Sequence, residues 1–170
     1  ILRPTTMLSA AGPGFFNDLF GSRLGLVLAG YDPSVQLLAP DDLAGAVCAV
    51  VEQEAVGVYN VAPDGVIPLR TALRWSRTWP LMFPRFLQRM ARKFGAVLGL
   101  THPADQLDYV RYSWTVANDK LKRDLGFVPQ RTTPGVLLDF LAQRYARRSL
   151  PADIETPPTF DDFGLDRQYI

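Results

Sequence analysis

The chain has 170 residues, 48% of them apolar and 21% charged, with 18 Lys and Arg against 17 Asp and Glu and a formal charge of +1. That apolar share excludes an intrinsically disordered chain and suits one core of ordinary size, while a lone Cys48 and a lone His102 exclude a disulfide framework and a cysteine zinc cage. No stretch approaches the roughly 18 apolar residues of a membrane span, no basic-then-apolar leader opens the chain, and a start at Ile1 inside an apolar run reads as that of a fragment or a processed half.

Ile1-Leu2-Arg3-Pro4 reads as the end of a strand, because Pro4 removes a ladder donor and suits a strand terminus. Ser9 to Gly14 is a loop, and Val35-Gln36-Leu37-Leu38 is a short apolar run. Asp41 and Asp42 after Pro40 supply helix-start chemistry, and Leu43, Ala46, Val47, Val50 and Val51 recur at helical spacing, which predicts a helix over 42–53. Cys48 lies one position off that stripe and is expected to pack as a small hydrophobe. Val58 to Val61, β-branched and aromatic between Gly57 and the turn pair Asp64-Gly65, reads as a strand. Val66-Ile67-Pro68 follows as a short edge strand leading to a helix from Leu69. Pro80 and Pro84 break the next stretch, and a helix is expected from Pro84 to Leu98. Val110 to Val116 alternates loosely, as a strand does. Asn118-Asp119 can cap a helix that Gly126 ends. Thr133 as N-cap and Pro134 behind it open a last helix, with Val136, Leu137, Phe140, Leu141 and Tyr145 as its buried stripe. Alternating strands and helices indicate the α/β class, with residues 1–150 as the folded part. Residues 151–170, rich in Pro and acids, form an irregular tail whose Phe160, Phe163 and Tyr169 could pin it to the body or to a partner.

The near-neutral total conceals a pattern. Residues 1–64 carry a balance of −5, residues 65–104 carry +7 without a single acid, residues 105–150 carry +3, and the tail carries −4. On a helical wheel, segment 84–98 separates Leu87, Met90, Phe94 and Val97 from Arg85, Arg89, Arg92 and Lys93. This is a core helix with a solvated basic face, an interfacial helix drawn to anionic lipid, or a surface for an anionic substrate or partner. Nucleic acid is not expected, since no recognition motif accompanies the basic block.

Three stretches, in this order and spacing, resemble the C-terminal half of the extended short-chain dehydrogenase/reductases, the NAD-dependent epimerase/dehydratase family. Ile1 to Thr6 is similar to the strand and Arg-Pro-x-Asn turn that follow that family's catalytic helix. Gln36 to Ala44 is similar to its Q-x-x-H-V-x-D-L-A segment, and Gly57 to Ala62 to its G-x-Y-N-V strand. Asn118 to Pro129 is similar to its S-K-x-x-x-x-L-G-[WF]-x-P segment. Thr6 stands where the family usually has Asn, and Ala39 replaces the common His.

The resemblance implies the C-terminal part of an NAD(P)-binding Rossmann-type fold without its N-terminal Gly-rich βαβ units. The Gly-x-x-Gly-x-x-Gly turn that holds a pyrophosphate and the Tyr-x-x-x-Lys proton-transfer pair do not occur in this sequence, Gly12-Pro13-Gly14 being loop glycines. No catalytic residue and no metal site is therefore assigned. What the resemblance implies is the substrate-binding half of a cytoplasmic oxidoreductase of epimerase, dehydratase or dehydrogenase outcome, using NAD or NADP and acting on a sugar nucleotide or similar hydroxyl substrate. An N-terminal Rossmann half would be its partner and the main holder of the cofactor. By the same resemblance Pro4, Thr5 and Thr6 bind at the nicotinamide end, and Arg111 grips the substrate diphosphate with its bidentate fork. Taken without it, Pro4 to Thr6 are a plain strand exit and Arg111 a surface ion pair. Asp41 and Asp42 read as helix-capping carboxylates rather than acid/base or metal groups, and His102 as a solvated loop histidine. The alternative, of a different class, is a non-catalytic binding module that docks a membrane surface or a protein partner through the basic helix 84–98.

Overall fold

Runs of two to five β-favouring residues, punctuated by Pro and Gly, make short parallel strands tied together by helices. The computed structural model describes residues 1–10, 12, 14–83 and 109–147. The expected helix 84–98, His102 and the tail 151–170 lie outside the described residues. The chain divides into two units: one takes Ile1–Gly12, Gln36–Ile67 and the stretch from Thr115 onward, the other Pro13–Val35 and Pro68–Trp114.

In the first unit β1 (Leu2–Pro4) runs parallel to β6 (Tyr59–Val61), with Leu2 opposite Tyr59 and Pro4 opposite Val61. The amide of Thr5 donates to Val61 O at 3.0 Å; residues two apart share a side of a strand, so the amide-less nitrogen of Pro4 faces away from β6 and costs no ladder bond. The chain then changes neighbour. β2 (Thr6–Met7) pairs in parallel with β5 (Leu37–Leu38), Thr6 opposite Leu37, and the amide of Leu8 continues the ladder to Leu38 O at 3.1 Å.

Over these strands lie α2 (Pro40–Glu52) and α4 (Asp119–Leu125), the latter closed by Gly126 in the left-handed region (φ +62°) that glycine enters freely. Leu38, Ala46, Tyr59, Val61, Leu121 and Leu125 form the buried core, ringed by Leu2, Leu43, Val50, Ala55 and Phe127. α5 (Thr133–Arg147) packs on β5 and buries Val136, Leu137, Phe140 and Leu141, four of the five expected positions; the side chain of Tyr145 lies outside those described.

Four expectations are corrected here. The buried face of α2 is narrower than its apolar stripe. Asp42, Leu43, Ala46 and Val50 fall within an arc of about 100° and are buried or half-buried, whereas Val47 and Val51 lie beyond its edge and are exposed. Cys48, about 200° from Ala46, is exposed and does not pack as a hydrophobe. Asp42 does not cap its own helix. The carboxylate of this buried residue accepts the backbone N–H of Gln130 (2.7 Å) and of Arg131 (3.3 Å), pinning the loop before α5. The cap of α5 sits one residue earlier than expected, at Thr132, whose hydroxyl accepts the amide of Gly135. Thr133 instead donates to Gly65 O (2.9 Å) and accepts from the amide of Leu37 (3.3 Å).

In the second unit α1 (Phe15–Gly21) and α3 (Leu69–Trp75) pack over β3 (Leu24–Leu28) and β8 (Trp79–Phe83), a parallel pair with Leu24 opposite Trp79 and Leu28 opposite Phe83. β4 (Ser34–Val35) also belongs here, and β7 (Ile67–Pro68) falls where the chain passes from one unit to the other. Phe16, Leu19, Phe20, Val27, Leu28, Leu69, Leu73 and Trp75 are buried. Gly25 lets the two helices close down. A Cβ there would lie 2.8 Å from Thr78 Cγ2, 3.0 Å from Leu73 Cδ2 and 3.1 Å from Leu19 Cδ1.

α1 and β3 were not among the elements expected from the sequence, and Pro80 does not break the stretch around it. Trp79 donates its amide to Arg23 O at 2.8 Å, so the nitrogen of Pro80 points to the other side of β8, where β3 asks for no donor. The expected strand 110–116 is not formed. A single 3₁₀ turn occupies 109–110, and Trp114 alone bridges Val35. Among the described residues no helix is long and apolar enough to cross a membrane.

Candidate functional site

Open parallel sheets bind ligands beyond the carboxyl ends of their strands, where strand order changes. In the first unit that place is the step from β1 to β2, and it holds Pro4, Thr5 and Thr6. Pro4 is exposed at the end of β1, and Thr6 is half-buried opposite Leu37. Thr5 is half-buried between them. Its backbone is engaged, but its Oγ1 is enclosed and has no hydrogen-bond partner. An enclosed hydroxyl without a partner costs about 1–3 kcal/mol, and it is the sort of group a ligand or an ordered water satisfies. The carboxyl ends of β2 and β5 open onto a cleft of about 210 Å³ lined by Leu8, Ala39, Asp41, Arg131, Phe140 and Gln143, and Arg131 is ion-paired with Asp139 on its wall.

Arg111 belongs to the second unit. The ion pair expected of a surface arginine is not what holds it: among the described residues it has no acidic partner. Its guanidinium carbon lies 5.5 Å from the centre of the Tyr31 ring and 5.0 Å from that of Tyr112, a cation–π setting. Its Nε is enclosed and unpartnered. Two residues before it in the chain, Tyr109 stacks on Phe15 (5.6 Å), lies tilted against Trp114 (4.9 Å) and meets Phe16 edge-on (6.1 Å). Aromatic faces thus hold the arginine, leaving N–H groups for an anionic oxygen.

Two polar clusters of the first unit went unread in the sequence. Gln36 is buried as a clamp, its Nε2 donating to Pro63 O at 2.8 Å and its Oε1 accepting the amide of Val116 at 2.9 Å. Asp64 accepts from Lys122 Nζ at 2.5 Å and from Asn118 Nδ2 at 3.1 Å, and these two hydrogen bonds, Lys122 first, hold its carboxyl below the usual carboxylate range. Asn118, expected as a helix cap, spends its side chain on Asp64 and on Ala62 O (2.7 Å). Lys120 pairs with Asp124 at 3.1 Å, lowering that carboxyl, and lies 3.6 Å from the centre of the Tyr59 ring. The i,i+4 spacing of Lys120 and Asp124 on one helix is a signal that could have found that pair, whereas Asp64 lies far along the chain from Lys122 and Asn118, and that distance hides their contact.

No family model matches the chain. It is 24% identical over 147 residues to an uncharacterized protein of Mycobacterium tuberculosis and to one of Mycobacterium bovis, an overlap of 85% of this chain and 39% of each relative. The chain thus spans about two-fifths of the length of these curated relatives. Solved structures share its fold. They include a UDP-N-acetylglucosamine 4-epimerase from Bacillus cereus (15% identity, TM-score 0.56, 84% of this chain and 45% of that one). Another is a dTDP-glucose 4,6-dehydratase from Bacillus anthracis in complex with NAD (14%, TM-score 0.55, 86% and 44%). A third is an ADP-L-glycero-D-manno-heptose-6-epimerase from Helicobacter pylori (13%, TM-score 0.57, 85% and 44%). The fold is therefore the α/β arrangement of the Rossmann-type epimerases, matching under half of each of their chains.

Proposed function

We propose that this chain is the substrate-binding half of an NAD(P)-dependent oxidoreductase of the epimerase/dehydratase type, acting on a sugar nucleotide or similar hydroxyl substrate. The observation that carries the reading is the enclosed, unpartnered hydroxyl of Thr5 at the carboxyl end of β1, in a fold shared with an NAD-bound dehydratase. On this reading Thr5, flanked by Pro4 and Thr6, meets the nicotinamide end, its hydroxyl donating one hydrogen bond and accepting others. The bound cofactor would accept and return the hydride. Arg111, held by the ring faces of Tyr31 and Tyr112, turns its free N–H groups to the substrate diphosphate. The pyrophosphate-holding glycine turn and the Tyr-x-x-x-Lys pair, which this sequence does not contain, belong in this reading to an N-terminal Rossmann half. Residues 1–150 supply the closing strands and substrate contacts, and 151–170 an acidic tail.

Calorimetric titration tests it on two proteins, the 170-residue chain and the chain extended by the coding sequence upstream of Ile1. The extended protein is expected to bind NAD or NADP and the short one neither at micromolar concentration. Thr5→Val in the extended protein should weaken dinucleotide binding about tenfold, the loss of roughly one hydrogen bond. Micromolar binding by the short chain, or none by the extended protein, overturns the reading.

A further inference from the structure

The second unit carries a basic groove that shares no lining residue with the Arg111 cluster. It encloses about 440 Å³ and is lined by Arg70, Thr71, Arg74, Arg77, Trp79 and Pro80, with Thr78 at its floor. This is within the roughly 300–1,000 Å³ of small-molecule sites. Arg70 and Arg74 stand one turn apart on α3, on the face opposite the buried Leu69, Ala72 and Leu73, and Arg77 follows the helix end. All three are exposed. Among the described residues no acid lines the groove and none of the three makes an ion pair. The carboxylate joined to this segment, Asp32, accepts the backbone N–H of Arg70 at 2.9 Å and stands outside the lining. Arg77 has φ +52°, a left-handed conformation that strains a side-chain-bearing residue, although a glycine would hold the same turn without that strain. Trp79, next along the wall, is 73% exposed.

A row of unpaired guanidiniums asks for phosphate oxygens, which their planar forks match. An exposed indole beside them asks for a flat ring, and aromatic stacking on a base needs no particular base. The geometry points to this groove as a binding site for a nucleoside diphosphate, its phosphates on Arg70, Arg74 and Arg77 and its base on Trp79. Thr78 supports the site without entering it, since its hydroxyl donates to Ser22 O at 2.9 Å.

The test uses the full chain with ADP, inorganic pyrophosphate and adenosine as probes, read by tryptophan fluorescence and equilibrium dialysis. ADP is expected to bind saturably and adenosine far more weakly. Changing Arg70, Arg74 and Arg77 together to Gln should weaken ADP binding about tenfold or more, as loss of charge-assisted hydrogen bonds does. Trp79→Ala should weaken ADP several-fold and leave pyrophosphate unchanged. ADP held at Arg111, the substrate site proposed above, would survive the triple variant, so loss of binding in that variant assigns it to the groove. Thermal melts confirm that the variants fold, and Arg74→Gln alone gives the same reading at smaller size if the triple variant melts early. No saturable ADP binding at millimolar concentration, full binding in the triple variant, or pyrophosphate binding as tight as that of ADP would each overturn the proposal.

Discussion

At the scale of single residues, hydrogen bonds decide which polar groups are free for work. Thr5 and Arg111 have enclosed atoms without partners; Gln36, Asp42 and Asp64 are engaged in holding neighbouring segments together. If Arg111 grips a diphosphate, Arg111→Ala in the extended protein should cost about 1.5–3 kcal/mol of substrate binding, the range for hydrogen bonds to a charged group. Lys should rescue only part of it, because an ammonium cannot reproduce the fork; Michaelis constants for the three proteins check this. Asp64 makes a prediction about pH. Its pKa is lowered in the fold by Lys122 and Asn118, so the folded state favours the carboxylate. The stability gained is present above the unfolded value of 3.8 and is lost as pH falls through the lower folded one. The pair is largely solvated, its side chains 30% and 53% exposed, so the gain is under about 1 kcal/mol. Urea midpoints of the wild type and Asp64→Asn should differ at pH 6 and draw together as the pH falls below 3.8.

At the scale of elements, burial separates what an apolar stripe promises from what packing uses. Leu137 on α5 is fully buried, and Leu137→Ala should destabilise by about 2–5 kcal/mol. Val51 on α2 belongs to an equally regular stripe but is 68% exposed, so Val51→Glu should stay within about 0.5 kcal/mol. Denaturation midpoints of the two variants measure the contrast. The stripe of α5, the strand at Tyr59 to Val61 and the close of α4 at Gly126 were legible in the sequence, since each rests on local periodicity or on a glycine turn. The width of the buried arc on α2 was not, because it depends on how much of the helix its neighbours cover. The strand through Pro80 was hidden for a related reason: whether a proline is tolerated depends on which side of the strand its partner lies. Of the candidate site, the sequence offered the identities of Thr5 and Arg111. It could not offer their unpaired state, which exists only once every neighbour is placed.

At the scale of the whole molecule, both units are assembled from separated segments. β1 must find β6 and β2 must find β5 before either pair exists, with Leu2 opposite Tyr59 and Thr6 opposite Leu37. Parallel pairs cannot form as local hairpins, and distant contacts slow folding. Refolding by stopped-flow dilution from urea should therefore run in milliseconds to seconds rather than microseconds. A main phase complete within microseconds would mean that these pairings do not limit the rate.

The missing amide of Pro80 also bears on how copies of the protein behave when crowded. β8 presents Trp79, Leu81 and Met82, each more than half exposed, along a strand that pairs, among the described residues, with β3 alone. Apolar side chains beside an open row of donors and acceptors are a template onto which another chain can add a strand, the first step toward aggregates. Pro80 leaves a gap in that row and no hydrogen to share across it. A proline at that point makes the margin a poorer seed for polymerisation than an unbroken strand would be.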